Sequence, residues 1–123
     1  MENTIHNNAR HDSPKYQLPV KYNDDSFYEF ALIQREDRYY LTDQGNTLNE
    51  LDNIFELSEP DVIKNLLAIS KQFGVNKVEK EFTIDIFPWS GNVDERENLE
   101  LRKSIYELYA CVSFMLNMKI FYV

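Results

Sequence analysis

The chain reads as an α+β domain: a small, mostly antiparallel sheet of about five strands, with helices packed on one face and elements in the order βββααββα. Three observations predict this. Segments dense in aromatic and β-branched residues fall in two groups, before residue 43 and again after residue 74. Turn clusters at Asn23-Asp24-Asp25-Ser26 and at Arg35-Glu36-Asp37 separate the segments of the first group. Apolar residues at helical spacing follow each group. Runs of strands and runs of helices in a chain of 123 residues indicate one α+β domain.

Residues 1–14 are polar, rich in Asn and His, and read as a flexible tail ahead of a single domain over 15–123. Tyr16 to Tyr22 is the first strand, and Pro19 puts it at an edge because proline cannot donate to a ladder. Asn23-Asp24-Asp25-Ser26 makes a turn. Phe27 to Gln34 and Arg38 to Thr42 form a hairpin around Arg35-Glu36-Asp37. Asn46 caps a short helix to about Ile54, with Leu48, Leu51 and Phe55 inward. Ser58 caps the next helix, Pro60 suits its first turn, and Glu59 and Asp61 complement the dipole. Val62, Ile63, Leu66, Leu67, Ile69 and Phe73 form its stripe. Gly74 stops it and Val75 packs back. Val75 to Val78 and Glu81 to Phe87 make a second hairpin, with Phe82, Ile84 and Ile86 on the buried face. Asp94 with Glu97 resembles a capping box, which predicts a last helix from about Glu95 to Met118. Its inward positions are Leu101, Ile105, Leu108, Val112 and Met115. Phe27, Phe30, Tyr39 and Phe82 are expected in the core.

The single cysteine, Cys111, excludes an internal disulfide and a multi-cysteine zinc site. It falls among helical core positions and reads as packing. The polar start is unlike a signal peptide, and no apolar run is long enough to span a bilayer. A cytoplasmic location without membrane contact is therefore expected. The net charge is −8, and it is concentrated. Residues 23–61 hold eleven acids and only Arg35 and Arg38, whereas residues 62–123 hold eight acids and eight bases. Such a block disfavours contact with nucleic-acid phosphates and favours a protein partner with a basic surface; the plainer reading is a solvated acidic face that aids solubility.

The stretch Leu41-Thr42-Asp43-Gln44-Gly45-Asn46-Thr47, a helix ending in Phe73-Gly74-Val75, and the long last helix resemble the family called domain of unknown function 1828, over about residues 15–118. That resemblance implies a fold and a bacterial or phage setting; it implies no established activity. It also implies a free-standing version of a domain that carries further sequence in related chains.

Asp43 invites a catalytic reading. Asp43-Gln44-Gly45-Asn46-Thr47 superficially matches a haloacid dehalogenase signature, but the acid–base aspartate that belongs at position 45 is glycine. The plainer reading is structural: Asp43 accepts backbone hydrogen bonds in the turn and Gly45 supplies a positive φ. Asp24, Asp25, Glu36 and Asp37 belong to turns, where carboxylates splay toward water rather than converge on a metal. No catalytic residue, cofactor or metal is assigned. His6 and His11 lie in the tail, a poor mount for a catalytic base. Trp89, in a Pro-Trp-Ser-Gly loop, is either a contact residue or a lid over the core.

The sequence thus favours a non-enzymatic binding module that uses Asp24, Asp25, Glu29, Glu36, Asp37, Asp43, Glu50 and Trp89 against a basic nucleic-acid-handling protein, as a phage-associated inhibitor would. The alternatives are a small metal-dependent hydrolase or nuclease centred on Asp43, and a dimerisation domain that pairs through the last helix and the apolar tail Ile120-Phe121-Tyr122-Val123.

Overall fold

The computed structural model describes residues 13–21, 25–53 and 57–117. Its elements are β1 (Lys15–Lys21), β2 (Phe27–Arg35), β3 (Arg38–Thr42), α1 (Asn46–Asp52), α2 (Pro60–Gln72), β4 (Asn76–Val78), β5 (Glu81–Asp85) and α3 (Leu99–Leu116). The five strands form one antiparallel sheet in the order β1-β2-β3-β5-β4, so the fold is α+β as the pattern predicts. Pro19 lies in an edge strand, and the β1–β2 register shifts between Gln17 and Lys21, around that proline.

Register sorts the side chains. Leu32 pairs with Leu41 and Leu41 with Ile84, so these three share one face, and that face meets the helices. Phe30 and Phe82 belong to the same set and are fully buried. The opposite face carries the row Ala31, Thr42 and Thr83, small and buried at the sheet centre. Charged residues flank that row, and to one side of it Arg38 donates to Asp85 at 2.7 Å, from β3 to β5. α3 lies against β3 and β5 with α1 and α2 beside it. It buries Leu101, Ser104, Ile105, Leu108, Cys111, Val112 and Met115. At ~1.5 Å per residue its 18 residues span about 27 Å.

Five local expectations need correction, the first being Leu67, expected in the stripe of α2 but 39% exposed, since it lies one step around the helix from the buried Leu66. α1 takes Gly45, not Asn46, as its N-cap, because Asp43 already holds the first-turn amides. α2 is capped at Glu59, not Ser58: proline at the first helical position holds the residue before it extended, and Glu59 has φ −71° and ψ 123°. α3 starts later than expected. The Asp94 carboxylate is taken by the Arg96 amide and guanidinium, closing a separate turn, and Asn98 instead accepts from the Leu101 amide at 3.0 Å. Phe27 is 41% exposed rather than core, because Tyr28, Phe30 and Leu32 hold the inward positions of β2; the Lys21 ammonium covers its ring at 5.3 Å.

The end of α2 follows the expectation closely. Gly74 has φ +69°, its amide donates to Lys71, and the Val75 amide donates back to Ser70 at 2.8 Å. This is a Schellman closure, and Val75 is 2% exposed.

Candidate functional site: an acidic groove at the strand–turn–helix joint

β3 ends at Thr42, yet the Asp43 amide still donates to the Phe82 carbonyl at 3.1 Å. In a continuing ladder the Asp43 carbonyl would accept from the Phe82 amide in return. That carbonyl instead accepts from Asn46 at 3.2 Å, as the chain turns into α1. The Asp43 side chain takes its place. Oδ1 accepts from the Phe82 amide at 2.9 Å and from the Gly45 amide at 3.0 Å. Oδ2 accepts from the Thr47 amide at 3.2 Å. One carboxylate thereby ties sheet, turn and helix.

Asp43 is fully buried. Burial pushes its carboxyl above the usual range, while the Thr47 hydroxyl and the amides of Gly45, Phe82 and Thr47 pull it down. The Thr47 hydroxyl sits beside the carboxylate without reaching good hydrogen-bond geometry. Its Oγ1 is the one buried side-chain polar atom among the described residues that lacks a hydrogen bond. Asp43 therefore does the structural work read from its turn, and a hydrolytic centre there gains no support from the geometry. Among the described residues no three His, Cys, Asp or Glu side chains are grouped to hold a metal ion.

The outer side of the same joint is open. Gln44 and Gly45 have φ +62° and +83°, and Glu79 in the β4–β5 turn has φ +55°. Two left-handed turns stand side by side: a Cβ on Gly45 would lie 3.5 Å from the Lys80 carbonyl oxygen. Between α1 and the β4–β5 turn runs a groove of about 840 Å³. Leu48 and Leu57, both half-buried, supply apolar lining. Asp52, Glu79 and Glu81 supply carboxylates, Lys80 the one cation of the lining, and Gln44 and Asn49 the amides. Glu81 is held by the Thr42 hydroxyl, which donates to it and accepts from the Gln44 amide at 3.0 Å. The motif that shapes the joint thus also shapes the groove wall.

The groove shares lining residues with two neighbouring depressions. Asn49 also lines a depression of about 400 Å³ with Gln17, Ser26, Phe27, Glu29, Asn46 and Glu50. Glu79 and Glu81 also line one of about 300 Å³ that reaches Arg35, Arg38 and Tyr40 on the open sheet face. Glu29 and Glu50 thus line the depression on the β1 side, and Asp52, Glu79 and Glu81 line the groove itself.

The predicted contact residues scatter over the molecule. Glu29 and Glu50 come together in the 400 Å³ depression. Glu36 and Asp37 are exposed at the β2–β3 turn, seven or more residues up β2 from Glu29, roughly 23 Å at ~3.3 Å per residue. Asp25 is exposed at φ +68°. Asp24 lies outside the described residues, as do Phe55, His6, His11 and the tail 120–123. Asp43 is inside the protein. Trp89 is half-buried and stacks on Tyr39, with ring centroids 4.4 Å apart and planes at 17°. Sequence reasoning overlooked Glu79 and Glu81, because residues 62–123 sum to zero charge. The signal was there in a two-residue turn between alternating segments, but its proximity to α1 required the β3–β5 pairing.

A sheet wrapped on one side by helices, with a polar groove where β3 passes into α1, defines a small α+β module. A model of the family described as Domain of unknown function DUF1828 matches residues 18–88, more than half of the chain, and the chain belongs to that family. The match ends before α3, so the sheet and first two helices carry the resemblance, a shorter span than the 15–118 expected. No curated protein and no solved structure matches the chain. No helix among the described residues is long and apolar enough to cross a membrane.

Proposed function

We propose that this protein is a non-enzymatic binding module that receives a basic, partly apolar segment of a protein partner in the groove beside α1. The observation that carries the reading is the combination in one groove: Leu48 and Leu57 as apolar lining, and Asp52, Glu79 and Glu81 against the single Lys80. Apolar lining supplies contact area, and the carboxylates steer a cationic partner and set its register. The acids at Glu29 and Glu50 extend the same field toward β1. A partner surface built to hold phosphates has the matching charge, so an inhibitor of a nucleic-acid-handling protein, of bacterial or phage setting, fits this groove.

The test is a titration of the labelled protein with a synthetic amphipathic peptide of lysine and leucine, followed by amide NMR. Shifts should gather at Leu48, Asn49, Asp52 and Glu79. The affinity should fall as salt rises from about 50 to about 500 mM, which shortens the screening length severalfold. Shifts that spread evenly over the surface, or an affinity indifferent to salt, would refute the groove.

A further inference from the structure

A second site borders α1 where β2 outruns β3. β3 stops at Thr42, opposite Ala31, so Phe27 to Phe30 of β2 continue beyond it without a β3 partner. α1 stands beside this stretch, and the depression of about 400 Å³ opens between them. Gln17 pairs with Glu29, so both point to one face, and Phe27, two residues before Glu29, shares it. α1 contributes Asn46, Asn49 and Glu50, whose spacing of three and four residues sets them on one side of the helix.

These side chains have hydrogen-bonding capacity to spare. Among the described residues, Gln17, Glu29, Asn46, Asn49 and Glu50 make no side-chain hydrogen bond and no ion pair, and no basic side chain lines the depression. The three amides each donate and accept, and the two carboxylates accept only. The Phe27 ring, 41% exposed and covered on one face by Lys21, gives an apolar wall. Uncompensated carboxylates repel a phosphate or carboxylate ligand. A plain alkyl ammonium donates but cannot accept, so it would leave the amide N–H groups unanswered. A hydroxyl does both, and neighbouring hydroxyls match a planar amide or carboxylate two at a time. The C–H face of a sugar ring suits the negative face of an aromatic wall, and a protonated amine answers the two acids.

We propose that this depression binds an amino sugar that carries no phosphate. Its hydroxyls meet Gln17, Asn46 and Asn49, its ammonium lies with Glu29 and Glu50, and a C–H face turns toward Phe27. The volume lies within the ~300–1,000 Å³ of small-molecule sites. Ligand and principal residues both differ from those of the groove, so either reading stands without the other.

Amide NMR of the full chain, titrated with glucosamine, glucose and glucuronate to about 50 mM each, tests this. Glucosamine should give saturable shifts at Gln17, Phe27, Glu29 and Asn46, with a dissociation constant on the order of 1 mM. Glucose should bind about tenfold more weakly, and glucuronate should give no shift there. Glu29→Gln with Glu50→Gln keeps the shape and removes both charges. It should weaken glucosamine at least fivefold and leave glucose unchanged. Asn46→Ala, at a side chain that bonds to nothing in the fold, should weaken both sugars. No saturable shift with glucosamine, glucose bound as tightly as glucosamine, or a double variant that binds glucosamine like the parent would each overturn the proposal. The lysine–leucine peptide reports separately at Leu48, Asp52 and Glu79, so failure of one site is read apart from failure of the other.

Discussion

Two carboxylates from one acidic segment meet opposite fates. Asp43 is fully buried with three amide donors on its two oxygens. Asp37, six residues earlier, is exposed in a two-residue turn. One holds sheet, turn and helix in register; the other faces water. Charge counted along a sequence is therefore a poor measure of the charge a partner meets. The negative surface beside α1 draws on Asp52 from the acidic segment and on Glu79 and Glu81 from a segment that is neutral overall.

The largest effect is expected at the joint. Asp43→Ala leaves the amides of Gly45, Thr47 and Phe82 without their acceptor. At ~1–3 kcal/mol for each buried unsatisfied group, tempered by relaxation, the loss should be roughly 3–5 kcal/mol in urea denaturation. Asp43→Asn keeps one acceptor oxygen and should lose less. An Asp43→Ala protein as stable as the parent would show that the backbone closes the joint unaided.

The next effect is at Gly45. With φ +83° and ordinary contact to the Lys80 carbonyl, an added Cβ costs conformation rather than space. Gly45→Ala should lose about 1–2 kcal/mol, and Gly45→Asn less, because asparagine tolerates the left-handed region better. Equal losses would point to a clash instead.

Alkaline pH probes the core behind the joint. Burial, with the nearby Asp43 charge, pushes the Cys111 thiol from 9.0 to about 12. Burial also raises Tyr28 and Tyr16 from 10.0 to about 12, helped by Glu50 at the first and by Glu95 and Asp94 at the second. In each case the folded state keeps a proton that the unfolded chain releases first. Stability should be intact below about pH 9 and decline from there to about pH 12. Cys111→Ala should remove the earliest part of that decline. Denaturation midpoints across this range give the answer, and a flat profile would contradict it.

The smallest effect is at the β2–β3 turn. Glu36→Lys with Asp37→Lys should change stability by no more than ~0.5 kcal/mol, because both side chains are exposed.

The fold was legible where one residue type has one physical solution. Pro19 had to sit at an edge, Gly74 had to end α2, and the alternation of Phe82, Ile84 and Ile86 had to bury one face of β5. Legibility failed where two residues compete for one task. Asp94 and Asn98 are both good helix caps, and only the reach of Arg96 decides between them. Ser58 yields to Glu59 because Pro60 fixes the helix start. For the site, Asp43 was readable as a turn acceptor, since Gly45 and Thr47 follow at turn spacing. The groove was not, because its walls are some thirty residues apart and meet only when β3 pairs with β5.

In the proposed function the carboxylates beside α1, rather than the acidic segment as a whole, receive a cationic partner. Calorimetric titration with the lysine–leucine peptide compares two double charge reversals directly: Asp52→Lys with Glu79→Lys, and Glu36→Lys with Asp37→Lys. The first pair should weaken binding at least tenfold and the second should leave it within about twofold, in line with ~1.4 kcal/mol per tenfold change. Equal losses from both pairs, or a larger loss at the hairpin turn, would contradict it.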